Sequence, residues 1–188
     1  MVVLLALGTA ALGAGLAVVK GRDDGLGYFV GNLSTPYLIA AFFAGRALRS
    51  RVGAAVAGVL MTWITLSAFY VSAETAFGYP SGSMTRFYLE WFIAGAFSGT
   101  ALGLLGRESR TRVRLRYVLP LALVLEPFAV VMVQTAGRFG GLNLQALQLV
   151  AWGGEIVLGC VVLGITRLRS GRTQAAESVK RQVSRAGS

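Results

Sequence analysis

Six apolar stretches, each about as long as a helix must be to cross a bilayer, take up nearly the whole chain. They cover residues 2–19, 28–48, 52–72, 86–105, 117–135 and 144–166. An 18-residue stretch such as the first rises about 27 Å as an α-helix. With its flanking residues it matches a hydrocarbon core about 30 Å thick. Charged residues make up 14% of the chain, where a soluble domain carries about 25%. That leaves too little polar surface to wrap a water-soluble globule. The expected fold is all-α and polytopic, with six transmembrane helices in one bundle over residues 1–166. A basic tail over 167–188 follows, either unstructured or a short amphipathic helix. No Lys or Arg precedes the first stretch, so it reads as a retained span rather than a cleaved leader.

The net charge of +10 does not mark a nucleic-acid binder, because its distribution is that of an orientation signal. With both termini cytoplasmic, fourteen Lys and Arg lie on the inner side and four on the outer. Such a bias is the positive-inside pattern, and it favours an even number of spans. The expected location is the plasma membrane, and the expected surroundings are the lipid bilayer. There is no His, and Cys160 is the single Cys. A disulfide within the chain and a Cys/His metal site are both excluded, and no cofactor is expected. Cys160 reads as a small packing residue.

Two carboxyls interrupt the greasy pattern. Glu126 falls near the middle of the fifth stretch and Glu155 near the middle of the sixth. A charge at that depth costs at least about 2.5–3.5 kcal/mol on insertion scales, so each needs a partner, water or a proton. Spans joined by a short loop usually pack side by side. The two carboxyls are therefore expected to share a cavity, with at least one of them protonated at neutral pH. A group that gains and loses a proton there suits a proton-coupled transporter, or a pocket for a cationic or amine substrate. A protonated Glu that only ties two helices together is the competing structural role. A cavity open to water would favour transport, and a closed seam would favour packing. Pro127 follows Glu126 and is expected to kink its helix by freeing the carbonyl four residues back.

A second polar set is expected toward the outer face. It comprises Glu90, Asn32 and Gln148, with Glu74, Gln134, Arg138, Asn143 and Gln145 at similar depth. Together they suit an outward vestibule, although any set of outer helix ends carries such residues. Glu90 stands four residues after Arg86 and is also placed for a local ion pair. The candidate binding residues are therefore Glu126, Glu155, Glu90, Asn32 and Gln148.

Small residues form a third pattern. Gly95, Gly99 and Gly103 repeat every four residues in the fourth stretch, and Gly8, Gly13 and Gly15 mix with Ala in the first. Such faces let helices approach closely, within one chain or against another. Phe42-Phe43-Ala44-Gly45 is echoed by Phe92-Ile93-Ala94-Gly95, a similarity too short to establish a repeat. No phosphate-cradling Gly-Lys-Ser/Thr loop, Gly-x-Ser-x-Gly or His-Glu-x-x-His appears, which points away from an enzyme.

The run from Asn32 to Gly45, the Arg49-Ser50-Arg51 connector, the mid-span Glu126-Pro127 and the late Glu155 carry a resemblance over the second to sixth stretches. They resemble small multi-pass membrane proteins of uncharacterised activity from high-GC Gram-positive bacteria. That likeness implies the fold and no catalytic residue. Ala6, Ala10 and Ala14 also have the spacing found on the first helix of the substrate-capture subunits of energy-coupling-factor vitamin transporters, which the chain resembles in length and helix number. The long first loop that covers substrate in those subunits has no counterpart here.

Two functions remain open on these grounds. One is a small transporter or transport subunit with a pocket at Glu126 and Glu155. The other is a non-catalytic membrane component. It would dock to a partner membrane protein, or to a second copy of the chain, through its small-residue helix faces or through the basic cytoplasmic side that carries the five arginines of residues 107–116.

Overall fold

The computed structural model describes residues 2–22, 25–31, 33–78, 85–135 and 146–186. Among them there are helices and no strand. The helices are α1 (Val2–Arg22), α2 (Leu26–Val30), α3 (Thr35–Ala47), α4 (Arg51–Phe77), α5 (Thr85–Glu108), α6 (Val118–Thr135) and α7 (Ala146–Ala186). A 3-10 turn, Val113–Tyr117, leads into α6. Among the described residues four segments are long and apolar enough to cross a membrane: Val3–Gly21, Arg51–Phe77, Leu89–Glu108 and Ala146–Leu168.

Local chemistry sets both ends of α4. Ser50 caps α4, its hydroxyl accepting the Gly53 N–H at 3.0 Å. At the other end Gly78 takes φ 65°, a left-handed conformation that glycine adopts without a steric penalty. Lys20 and Arg22 continue α1 rather than forming a loop, and Glu74 belongs to α4 rather than to the connector after it. The backbone of α7 stays helical beyond the apolar stretch, so the basic segment after Thr166 is carried on its end.

The second apolar stretch is not one helix, and this corrects the expected span over 28–48. It is broken between α2 and α3, and Pro36 lies in the first turn of α3. Proline disfavours helical backbone in the residue before it and supplies no N–H, so a helix starts there more readily than it passes through. The 13 residues of α3 rise only about 20 Å, short of a hydrocarbon core of about 30 Å.

Helix α4 is central, packed against α1, α3 and α5, while α6 and α7 pair with each other. The pair joins the rest where α6 meets α3 and α7 meets α2. Leu16 and Ala17 of α1 pack on Phe69 and Ala73 of α4. Ala41 and Phe42 of α3 pack on Leu102 of α5 and Leu119 of α6. The glycine stripe on α5 is filled inside the chain. A Cβ at Gly103 would overlap the carbonyl oxygen of Ala54, and one at Gly58 would overlap that of Gly99. Helices α4 and α5 thus touch backbone to backbone. Gly95, Gly99 and Gly103 serve that contact and leave no free face there for a docking partner.

Large apolar side chains cover the outside. Phe97 is 76% exposed, and Leu4, Leu7, Leu60, Phe128, Met132, Val157 and Val161 are exposed as well. An apolar exterior spread over several helices is what lipid selects and water penalises. Trp152 is buried. Trp63 instead lies partly outside, its indole N–H donating to the Phe92 carbonyl at 2.9 Å.

Arginines gather where α3 and α5 end and α4 begins. Glu108 takes Arg107, with Arg51 at 3.3 Å and Arg112 at 3.9 Å. Arg46 donates to the buried Ser109 hydroxyl at 3.1 Å, and Arg107 to the Arg49 carbonyl at 2.7 Å. The ion pairs of Glu108 are partly exposed and worth at most about 1 kcal/mol each, so they trim the helix ends rather than hold the fold.

Candidate functional site

The interruption between α2 and α3 builds the site. A helix start leaves backbone N–H groups without intrahelical partners, and the helix dipole places partial positive charge there. Ser34 is the N-cap of α3. Its hydroxyl makes no cap to the α3 backbone and donates instead to Glu126 Oε1. The Ser34 backbone N–H donates to the same oxygen at 2.6 Å. A carboxylate of α6 thus does the capping, from a residue 92 positions away in sequence.

Thr35 lies between the two acids. Its Oγ1 is in hydrogen-bond contact with Glu126 Oε2 on one side and with Glu155 Oε1 on the other. Thr35 is 6% exposed, Glu126 8% and Glu155 5%, so the group is enclosed by protein. The fourth carboxyl oxygen, Glu155 Oε2, is buried with no hydrogen-bond partner among the described residues. Glu126 and Glu155 do meet, as their positions in adjacent apolar stretches suggested, carboxyl beside carboxyl with a threonine hydroxyl bridging them. By exposure the arrangement is the closed seam that favours packing. Its hydrogen bonding is not that of a satisfied seam.

Four carboxyl oxygens converge on three protein donors: the Ser34 N–H, the Ser34 O–H and the Thr35 O–H. Ionised carboxyls only accept, and a hydroxyl has one proton to give. Both contacts of Thr35 are hydrogen bonds only if one carboxyl brings a proton of its own. Buried polar groups are almost always paired, so this deficit is a chemical property of the site.

The other candidates lie elsewhere. Glu90 is exposed on α5, and its expected pairing with Arg86 falls on a side chain outside the described residues. Gln148 is half-buried on α7, two turns before Glu155. The hydrogen bonds of the carboxyl pair run to Ser34 and Thr35, and not to either of these. Asn32, Arg138, Asn143 and Gln145 lie outside the described residues, as does the side chain of Gln134. The vestibule expected of them is therefore not described.

Ser34 and Thr35 are the residues that sequence reasoning missed. The signal was present in Gly31-Asn32-Leu33-Ser34-Thr35-Pro36, where turn-forming and N-cap residue types precede a proline. Continuous hydropathy masked it. Compared with known protein families, with characterised proteins and with solved structures, the chain matches none.

Proposed function

We propose that the chain is a six-span membrane transporter, or the membrane subunit of one, with its binding site at Glu126, Thr35 and Glu155. In this reading α2 and α3 together make an interrupted second span and α6 makes the fifth. Both termini face the cytoplasm, and the membrane is the plasma membrane. The four long apolar helices and the fourteen-to-four distribution of basic residues support that topology. The reading assigns no catalysis and needs no cofactor.

One observation carries it: the carboxyl pair has more acceptors than donors at the start of a broken helix. A pair kept only to tie helices together would be expected to satisfy all its oxygens. An acceptor left over asks for a proton or a positively charged ligand. Interrupted helices whose ends face a binding site are a recurring device of transporters, because they bring backbone polar groups into the membrane without exposing them to lipid. The docking alternative loses the α5 stripe, which is filled by α3 and α4, and keeps the open Gly8 and Gly15 of α1 and the arginine-rich loop.

Glu126→Gln and Glu155→Gln, each purified and reconstituted in vesicles with a trapped pH-sensitive dye, test the function. Each substitution is expected to cut proton-coupled flux at least tenfold while the protein stays folded. Wild-type flux in both variants would remove the transport reading. Fusing a reporter that fluoresces only in the cytoplasm to either terminus should give signal from both. Signal from one end alone would rule out an even span count.

A further inference from the structure

We infer that the Glu126–Thr35–Glu155 group holds one proton, carried by Glu155 and passed to Glu126 through the Thr35 hydroxyl. The inference deepens the transport reading by naming the ligand as a proton, and it rests on that reading for its biological use.

Three observations lead to it. First, Thr35 Oγ1 touches both carboxyls and has one hydrogen to give. It must donate to one acid and accept from the other, so one acid is protonated at the oxygen facing Thr35. Second, the partners are unequal. Glu126 receives the Ser34 N–H and O–H on one oxygen and faces the positive end of α3, an environment built for an anion. Among the described residues Glu155 receives a hydroxyl donor from Thr35 alone, and its other close polar neighbour is the Glu126 carboxyl itself. The proton therefore belongs on Glu155 Oε1. Third, Glu155 Oε2 then becomes the carbonyl oxygen of a neutral acid. That is the oxygen least costly to leave unpaired, and it is the one found buried without a partner among the described residues. A metal ion fits less well. The hydroxyl already occupies the space between the carboxyls, and the α3 N-terminus opposes a second positive charge beside Glu126.

The transfer balances. The Glu155 Oε1–H bond breaks as a new O–H bond forms at Thr35 Oγ1. The original Thr35 O–H bond breaks as one forms at Glu126 Oε2. Two O–H bonds are lost and two gained, and the group keeps a single negative charge throughout. After the shift Glu155 is the anion, free to take another proton.

The test is infrared spectroscopy of the purified chain in lipid nanodiscs, following the carbonyl stretch of protonated carboxylic acid during exchange into deuterium oxide. Wild type should show one such band within the slowly exchanging protein interior, and Glu155→Gln should abolish it. Thr35→Ser, which keeps the hydroxyl, should retain the band and its exchange rate. Thr35→Val should move the band and slow its exchange at least tenfold. A wild-type spectrum without the band would mean two ionised carboxyls balanced by an alkali ion or an amine, and would overturn the inference. So would a band that survives in Glu155→Gln, or a Thr35→Val spectrum identical to wild type. If Thr35→Val does not fold, the Glu155→Gln and Thr35→Ser spectra decide. The spectrum needs no transported substrate, so the two readings fail separately. A shared proton in a chain without flux sinks transport alone, and flux without a protonated carboxyl sinks this inference alone.

Discussion

Gly103→Val is expected to be among the most damaging single substitutions in the membrane domain, lowering stability by about 3 kcal/mol. The reason is geometric. A side chain at Gly103 meets the backbone carbonyl of Ala54 across the α4–α5 contact, and backbone has no rotamer with which to move aside. The Gly103 carbonyl is in turn the atom against which Gly45 of α3 is seated. One added branch therefore pushes α5 away from α4 and shifts the Gly103 backbone on which Gly45 is seated. In lipid, helices associate through close packing rather than through expulsion of water, so lost contact is not recovered elsewhere. Gly15→Val is the matched control, because nothing lies within 4 Å of the position a Cβ would take there. It should change stability by no more than about 0.5 kcal/mol. Equilibrium unfolding in mixed detergent micelles measures both. Equal effects of the two substitutions would refute the tight α4–α5 contact.

Glu126→Ala should destabilise the chain clearly more than Glu155→Ala, although both acids are buried to a similar extent. Removing Glu126 strands the Ser34 N–H, the Ser34 O–H and one contact of Thr35. Each buried donor left without an acceptor costs about 1–3 kcal/mol. Removing Glu155 costs its Thr35 contact and its place beside Glu126, strands no backbone donor, and takes away an oxygen that lacks a partner among the described residues. Because both acids share Thr35, the double substitution should cost less than the two single costs added together. The same unfolding titration gives all three values. An equal or reversed order would mean that Glu126 is not the acceptor on which the start of α3 depends.

Parts of this site were legible in the residues and parts were not. Two acids placed mid-stretch in neighbouring apolar segments stand out because charge is so costly there, and their convergence follows from a short connection. Ser34 and Thr35 do not stand out, since neutral hydroxyls barely lower the hydropathy of a span. Their role depends on a break in the helix, and the break is a local preference that an averaged apolar signal hides. The glycine repeat on α5 was visible, while its partner was not. A spacing of four residues marks a face for close approach but does not say whether a helix of the same chain or of another fills it.

The residues alone determined the solvent. Long apolar runs and scarce charge commit the chain to helices with greasy exteriors, because a backbone out of reach of water must satisfy its own hydrogen bonds. Only tertiary structure decided what those helices bring together. The second stretch gives up its continuity at Pro36, and the enclosed start of α3 meets an acid from α6 and, at Thr35, one from α7. That meeting joins residues about a hundred positions apart, and no local rule of sequence encodes a distance of that kind.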